Sequence, residues 1–229
     1  NPRPEDTEHF LRFHREDQSL KPAGHRPGPL DLSEAVIILA SASPRRETLL
    51  QALWVEHRVI PSLVDEADPL PGTTTASHAE TLALRKAADV AARVGEGLVL
   101  GADTIVECGG RLLGKPKDRD EASGFLRLLS GRSHLVVTGL ALVQAGDART
   151  EVGHEVTEVR MRALTDVEID AYVQTGEPLD KAGGYAIQGA AGAFIEGIKG
   201  SFTNVVGLPL GKLRTLLLRF GIDPLRRQV

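Results

Sequence analysis

Apolar and polar positions follow two different spacings along this chain. Apolar runs at 36–40, 98–106 and 134–143 are typical of buried strands, and the more alternating run at 152–161 is typical of a strand with one solvated face. Between these runs, apolar residues recur every three or four positions, which indicates helices. Because strands and helices alternate along the chain, the pattern predicts an α/β fold around a mixed sheet.

Capping residues predict where the helices begin. The pair Ser43-Pro44 suits the cap and first position of a helix. Further starts are predicted where Ser77, Asp118 and Thr165 each precede a Glu by three residues. A last helix is predicted over about 210–220. The first helix is expected to bury an apolar row made of Leu49, Leu50, Leu53 and Trp54.

The first 33 residues differ in composition from the rest of the chain. Prolines and charges dominate them, and Phe10, Leu11 and Phe13 form their one apolar cluster. This composition predicts a disordered or loosely docked tail, and the alternative is a short helix that docks a partner. We therefore expect a tail at 1–33 and a functional domain at 34–229.

The composition of the chain bears on which ligands the protein can bind and on the compartment in which it works. The formal net charge of -4 gives no general attraction for nucleic acid or anionic membranes, so phosphate recognition would require a local cluster of cations. The single cysteine, Cys108, can form no internal disulfide, which favours a reducing compartment. No apolar run is long enough to cross a bilayer, and the first thirty residues lack an apolar leader segment. We expect a cytoplasmic protein that binds neither nucleic acid nor membrane.

The segment Ser41–Arg46 stands at a predicted strand-to-helix junction. Unpaired N–H groups and the dipole at a helix start attract anions. Ser41 adds a hydroxyl donor, and Arg45 and Arg46 add planar charged forks that match phosphate. Two arginines in a first turn oppose the helix dipole, and a bound anion would relieve that conflict. The alternative is a plain capped helix with two surface arginines.

Asp103 and Thr104 come at the carboxyl end of an apolar strand, where ligands of open α/β sheets gather. An aspartate there is well placed to bind a divalent cation or to act as a base. The alternative is a turn aspartate that caps its own backbone.

Three further segments offer candidate groups. Lys115 nearly completes a phosphate-loop motif, but Pro116 stands where that motif requires a hydroxyl. Lys115 therefore either reaches phosphate as a point charge or lies exposed in a turn. Gln188, in a glycine-rich stretch, offers a ligand both a donor and an acceptor, unless it is simply solvated. Glu66 and Lys86 are unremarkable as isolated charges.

Together these segments resemble the Maf family. They occur in the family's order and cover nearly everything from Val36 to the C-terminus, whereas the tail lies outside the resemblance. The matching pieces are Leu39–Arg46, Val64–Glu66, Gly101–Thr104, Gly114–Pro116, Leu129–Gly131, Thr138–Gly139, Asp180–Gly189 and Asn204–Pro209.

The resemblance implies an elongated, two-lobed α/β fold similar to inosine triphosphatases. It implies hydrolysis of a nucleoside triphosphate to the monophosphate and pyrophosphate, with Mg²⁺ or Mn²⁺ as cofactor. It makes Asp103 the catalytic aspartate. We count Glu66, Lys86 and Lys115 with it as catalytic residues, and we expect Asp103 and Glu66 to hold the metal. It also suggests a homodimer. The phosphate-binding and supporting roles fall on Ser41, Arg45, Arg46, Glu66, Lys86 and Lys115.

The resemblance assigns the choice of substrate to Arg45, Thr104 and Gln188. These residues match the branch that prefers dTTP and UTP, whereas a branch that prefers 7-methylguanosine triphosphate carries Glu at the Gln188 position. An amide suits the adjacent donor and acceptor of a uracil or thymine edge, and a carboxylate better suits the two adjacent donors of guanine. The alternatives are a 7-methyl-GTP or other modified-purine pyrophosphatase, and a non-catalytic nucleotide-binding regulator of cell division.

Overall fold

The computed structural model describes residues 36–65, 72–147 and 149–226. The predicted tail lies outside these ranges. Within them the chain forms one mixed sheet of seven strands, in the order β2-β1-β3-β5-β6-β7, with β4 paired to β3. The strands are β1 (Ile37–Leu39), β2 (His57–Val59), β3 (Gly97–Cys108), β4 (Arg111–Leu113), β5 (Ser133–Ala145), β6 (Thr150–Met161) and β7 (Ile195–Lys199).

Six α-helices accompany this sheet in the described ranges, and the predicted α/β class with a mixed sheet is confirmed. β1 pairs in parallel with β2 and β3, and the pairings from β3 through β5 and β6 to β7 are antiparallel. None of the described helices has the length and apolarity needed to cross a membrane. The helices are α1 (Pro44–Ala52), α2 (Thr75–Val94), α3 (Arg119–Leu129), α4 (Asp166–Gln174), α5 (Phe202–Val206) and α6 (Leu210–Arg219).

The four predicted strands all form, and three short strands appear that the pattern did not predict. β2 and β4 have three residues each and β7 has five, and most of their positions are exposed or half-buried. Edge strands of this kind are specified by pairing with a neighbour, so they leave little periodicity in the sequence.

Local capping signals placed most helix starts correctly. α1 begins at Pro44, and Asp118 accepts a hydrogen bond from the Glu121 N–H at the start of α3. The reciprocal capping box of Thr165 is confirmed. The predicted start at Ser77 is wrong, because α2 begins three residues earlier and the Thr74 hydroxyl accepts from the Ser77 N–H at 3.2 Å.

Trp54 was expected in the apolar row of α1, and this is also wrong. The helix ends at Ala52, and Trp54 follows it with a left-handed φ of 53° and 59% exposure. The chain has left the helical repeat before Trp54 could join the buried row, which consists of Leu49 and Leu50 with Leu53 just beyond the helix.

The two faces of the sheet are covered by different helices. Alternate residues of β3 and β5, among them Val99 and Ala141, pack against α2. The opposite face packs against α1, α5 and α6 near one end, through residues such as Leu100 and Leu142. Towards the other end it packs against α3 and α4, through Val106 and Val136 among others.

Helix α2 lies unusually close to the sheet. A Cβ added to Gly101 would come within 2.1 Å of the Ala83 carbonyl oxygen, and one added to Gly139 within 2.3 Å of the Ala79 carbonyl group. Ala79, Ala83 and Ala87 are each fully buried at four-residue spacing, so small residues line both sides of the contact. The glycines of the Gly101–Thr104 and Thr138–Gly139 segments are therefore required by packing against α2.

One edge of β3 is interrupted beside this contact. β1 pairs with β3 only over 98–100, and β4 pairs with it only over 106–108. Between them, residues 101–105 have no partner strand on that side among the described residues. Side chains from both faces of β3 can therefore reach the same opening.

We expect Gly139→Ala to lower the free energy of unfolding by about 3 kcal/mol, because the new methyl group collides with the backbone of α2. Gly124→Ala is the matched control. Gly124 lies within α3 with nothing near its added Cβ, so the same change should stabilise the protein by about 0.5–1 kcal/mol. Chemical denaturation of both variants measures the effects. Equal effects of the two changes would contradict the packing explanation.

Candidate active site

A cleft of about 410 Å³ opens where β1 has ended and β4 has not begun. This volume lies within the range of about 300–1,000 Å³ common for small-molecule sites. Its described lining residues include five cations and two carboxylates, so the cleft is locally positive in a chain whose net charge is -4. The charged lining residues are Arg45, Arg46, Lys86, Lys115, Lys181, Asp103 and Asp180.

Asp103 and Lys86 form an ion pair at the bottom of the cleft. The Lys86 Nζ donates to Asp103 Oδ1 at 2.5 Å, and the two side chains are only 11% and 7% exposed. Asp103 is on the face of β3 that packs against α2, and Lys86 projects from α2. Breaking such a buried pair leaves an uncompensated charge, so each residue fixes the position of the other.

The Arg46 guanidinium is hydrogen-bonded within the protein, although we expected it to hold phosphate. Its Nε donates to the Gly207 carbonyl at 2.8 Å, and its Nη1 and Nη2 donate to the hydroxyls of Ser41 and Thr104 at 3.0 and 3.1 Å. The side chain thus joins the β1–α1 loop, β3 and the turn between α5 and α6. It fixes the wall of the cleft on the face opposite Asp103.

Arg45 faces a carboxylate across the cleft. Its Nη1 lies 3.9 Å from Asp180 Oδ2, and Lys181 also contacts Asp180. Burial alone would raise the pKa of Asp180, but the hydrogen bond and charge of Lys181 and the charge of Arg45 outweigh it and hold the pKa below its ordinary value. Asp180 therefore stays ionised beside two cations.

A frame of side chains supports the segment that carries Gln188. The Tyr172 hydroxyl accepts from the Ala186 N–H at 3.2 Å and donates to Glu177 Oε1 at 3.1 Å. The other oxygen of Glu177 accepts from the Ala190 N–H at 3.4 Å. Gln188 itself is exposed, so the frame holds the backbone on both sides of it and leaves the amide accessible.

A buried histidine anchors the same segment from the sheet. Tyr185 lines the cleft, and its hydroxyl lies 2.7 Å from His134 Nε2 on β5. His134 is 2% exposed, and its Nδ1 has no hydrogen-bond partner in the described part of the chain. Burial lowers the pKa of His134 to about 4, because protonation would put an unsatisfied charge inside the core.

The structure brings together eight of the residues expected to form the site, and Glu66 lies outside the described ranges. The cleft also contains Asp180 and Lys181, to which the sequence assigned no role, although both stand in a matching segment. The feature of the sequence that could have identified these two residues is their charge next to the glycine pair at 183–184. The eight residues are Ser41, Arg45, Arg46, Lys86, Asp103, Thr104, Lys115 and Gln188.

The described part of the cleft offers oxygen ligands that suit a divalent ion. The described residues contain no group of three or more His, Cys, Asp or Glu side chains that could hold a metal. Mg²⁺ commonly uses one or two carboxylates and completes its shell with water and substrate phosphates. Asp103, a buried carboxylate at the bottom of a cationic cleft, is a suitable ligand of that kind.

Comparison with known proteins shows to which family the chain belongs. A family model described as Maf-like protein matches residues 36–220. The chain belongs to the Maf family. A relative in Pelotomaculum thermopropionicum, named dTTP/UTP pyrophosphatase, is 51% identical over 82% of this chain and 98% of its own length. One of the same name in Desulforamulus reducens is 51% identical over 82% of this chain and 97% of its own length.

The Maf resemblance seen in the sequence is thus confirmed. Among solved structures, a nucleoside-triphosphatase (dITP/XTP pyrophosphatase) from Mycobacterium abscessus is 17% identical, with a TM-score of 0.36 over 55% of this chain and 73% of the other. A likeness at this TM-score adds nothing to the sheet topology described above.

We expect the stability of this Maf protein to fall in mild acid because of His134. Its pKa is about 4 when folded and about 6.5 when unfolded, so the unfolded chain binds the extra proton between these values. Lowering the pH from 7 to 5 should cost about 2 kcal/mol of unfolding free energy through this group.

His134→Gln removes the titration but keeps a side chain that can bond to Tyr185. Urea titrations at both pH values should show a smaller loss of stability in this variant than in the unchanged protein. The same loss in both proteins would rule out His134 as the source.

Proposed function

We propose that this protein hydrolyses dTTP and UTP to the monophosphate and pyrophosphate. The observation that carries the proposal is the buried carboxylate of Asp103 within a cationic cleft. Membership of the Maf family and the names of the relatives support it. The proposal includes Mg²⁺ or Mn²⁺ as cofactor. A cytoplasmic location and a homodimer stay predictions.

The cations of the cleft account for triphosphate binding. Arg45 has a side chain that is 30% exposed, and its contact with Asp180 is long enough for a phosphate oxygen to compete. Lys115 is exposed at the cleft and offers a compact charge. Arg46 contributes through the wall that it fixes, in addition to its charge. The sequence-based expectation was that both arginines bind phosphate, and this proposal gives each of them a different part in it.

Asp103 is the residue proposed to act on water. It orients a water molecule for attack on the α-phosphorus and accepts its proton, while the bond from that phosphorus to the bridging oxygen breaks and pyrophosphate leaves. Lys86 keeps the carboxylate aimed into the cleft through the 2.5 Å contact. An aspartate is a weak base, so positioning and charge stabilisation must supply most of the acceleration.

A divalent ion would neutralise charge that develops on the phosphate oxygens. We propose that Asp103 and Glu66 would hold it.

The two alternative functions are a modified-purine pyrophosphatase and a non-catalytic nucleotide-binding regulator. Both would use the same cleft, so the substrate and the presence of turnover distinguish them from the proposed function. The decisive assay is a panel of triphosphates that includes UTP, dTTP and 7-methyl-GTP, with pyrophosphate and orthophosphate release measured separately. Orthophosphate alone would indicate a phosphatase, and no release would indicate a binding protein.

Asp103→Asn should lower kcat for UTP by about 10²–10⁴-fold, which is the contribution typical of a positioned base. The amide oxygen can still accept from Lys86, so the variant should fold. Asp170→Asn, an exposed change on α4, is the control with the same chemistry and should keep full turnover. Near-normal kcat in Asp103→Asn, with a cooperative melting transition, would exclude the role proposed for Asp103.

Gln188→Glu should reduce kcat/KM for UTP about tenfold more than that for 7-methyl-GTP, because a carboxylate cannot donate to a uracil oxygen. Gln51→Glu adds the same charge at an exposed position of α1 and serves as the control. Steady-state kinetics on both nucleotides measure the ratio. An unchanged ratio would show that Gln188 does not contact the base.

A further inference from the structure

The carboxylate of Asp180 faces two cations of the cleft at once. Its Oδ2 lies 3.9 Å from Arg45 Nη1, and its Oδ1 contacts the Lys181 ammonium group. Arg45 belongs to the first turn of α1, whereas Asp180 is the last residue of a 3₁₀ helix, Glu177–Asp180. All three charged residues line the cleft, so the contact between Arg45 and Asp180 joins two of its walls.

These three side chains differ in how far water reaches them. The side chain of Asp180 is 70% exposed, that of Arg45 is 30% exposed and that of Lys181 is only 12% exposed. The two cations are therefore set into the walls, and the carboxylate is the solvated member of the group. An ion pair with a well-solvated member is weak, and 3.9 Å is longer than a hydrogen bond. A ligand with more negative charge can therefore displace the carboxylate from both cations.

Asp180 contacts these cations in the way that a phosphate group would. Each of its oxygens faces a different cation, and two oxygens of one phosphate group can do the same with a larger charge. Arg45 and Lys181 thus form a binding site for phosphate oxygens, and in this structure the protein fills the site with its own carboxylate.

The charge of this internal competitor is present at neutral pH. Burial would raise the pKa of Asp180, but the hydrogen bond and charge of Lys181 and the charge of Arg45 hold the pKa below its ordinary value. Protonation therefore does not remove Asp180 as a competitor for the two cations.

Hydrogen bonds hold the backbone around this group in place. The Lys181 N–H donates to the Pro178 carbonyl at 3.1 Å, and the Gly183 N–H donates to the Gly114 carbonyl at 2.9 Å. The second of these bonds joins the segment to the turn that follows β4. Because the wall is held in this way, a rotation of the Asp180 side chain alone is enough to expose the cations and to cover them again.

A competitor of this kind acts mainly after the chemical step. Cations that bind a triphosphate also bind pyrophosphate, and product release limits the turnover of many enzymes. A carboxylate attached to the wall of the cleft competes at a high effective concentration. It can take over one cation at a time as the product loosens, which prevents the product from binding to that cation again.

We propose that Arg45 and Lys181 bind phosphate groups of the nucleotide and of pyrophosphate, and that Asp180 competes for both cations and so promotes the release of pyrophosphate. The inference adds Lys181 to the ligand-binding residues and gives Asp180 a part in product release. It rests on the proposed function, because pyrophosphate is the product of that reaction.

The test measures the dissociation constant of pyrophosphate by titration calorimetry on the full chain, with Mg²⁺ in excess. Asp180→Asn should bind pyrophosphate about fivefold more tightly, which corresponds to the loss of one exposed ion pair that opposes binding. Asparagine keeps an oxygen that can accept from Lys181, so the variant should fold. Asp170→Asn is the same change at an exposed position of α4 and should leave the constant unchanged.

A second background separates competition from a general loss of negative charge. Lys181→Gln removes the cation that Asp180 contacts more closely and should weaken pyrophosphate binding about tenfold. Asp180→Asn added to Lys181→Gln should then tighten binding less than about twofold, because the two residues are coupled. A general electrostatic effect would give the full increase in affinity in both backgrounds.

Product inhibition gives a second readout. In the UTP assay, added pyrophosphate should inhibit Asp180→Asn at about fivefold lower concentrations than it inhibits the unchanged protein. A residue with a purely structural part would not raise the affinity for a product when it is replaced.

Two results would overturn the inference while leaving the proposed function intact. In one, Asp180→Asn binds pyrophosphate with unchanged or lower affinity. In the other, the full increase in affinity persists when Lys181 is replaced. The binding measurement needs no turnover, so it is read separately from the assay on UTP. If the unchanged protein releases no pyrophosphate from UTP, the proposed function fails, and the part of Asp180 in product release fails with it.

Discussion

The close approach of α2 to the sheet is the constraint on which the rest of the site depends. Lys86 can pair with Asp103 at 2.5 Å only because Gly101 and Gly139 let the helix backbone rest against β3 and β5. The alanines of α2 complete the contact from the other side. A wider separation would leave two charges buried without partners, which is among the more costly arrangements in a folded protein.

The interrupted edge of β3 turns this packing into a site. Neighbouring residues of a strand point to opposite faces, so Asp103 and Thr104 would normally be separated by the sheet. Because β1 and β4 leave the stretch 101–105 uncovered, both side chains reach one cleft. The cations then come from elements on both faces, with Lys86 from α2 and Arg46 from α1.

The sequence predicted those features that are encoded locally. Buried strands and the caps at Asp118 and Thr165 depend on a few adjacent residues, and the structure confirms them. β2, β4 and β7 depend on strand neighbours, so they were missed. The family resemblance located the cleft residues, but it could not show that Arg46 is hydrogen-bonded to Gly207, Ser41 and Thr104 within the described part of the chain.

The hydrogen bonds that run from Arg46 through Thr104 and Thr138 to the main-chain carbonyl of Asn204 were beyond sequence reasoning for a similar reason. Nothing in the segment at 138–139 suggests a link to Thr104 until the register of β3 and β5 is known. The direction of the hydrogen bonds depends further on the Asn204 carbonyl, which is 66 residues away in the chain. Such a property belongs to the folded arrangement and has no local signature.

The placement of Asp103 and Thr104 on opposite faces has a consequence for how such a protein can diverge. Substitutions around Thr104, in α5 or at 138 on β5, alter surroundings that Asp103 does not share. Such substitutions therefore leave the ion pair of Asp103 with Lys86 in place. A single peptide bond thus separates a residue that is ion-paired on the α2 side of the sheet from one that is hydrogen-bonded on the opposite side.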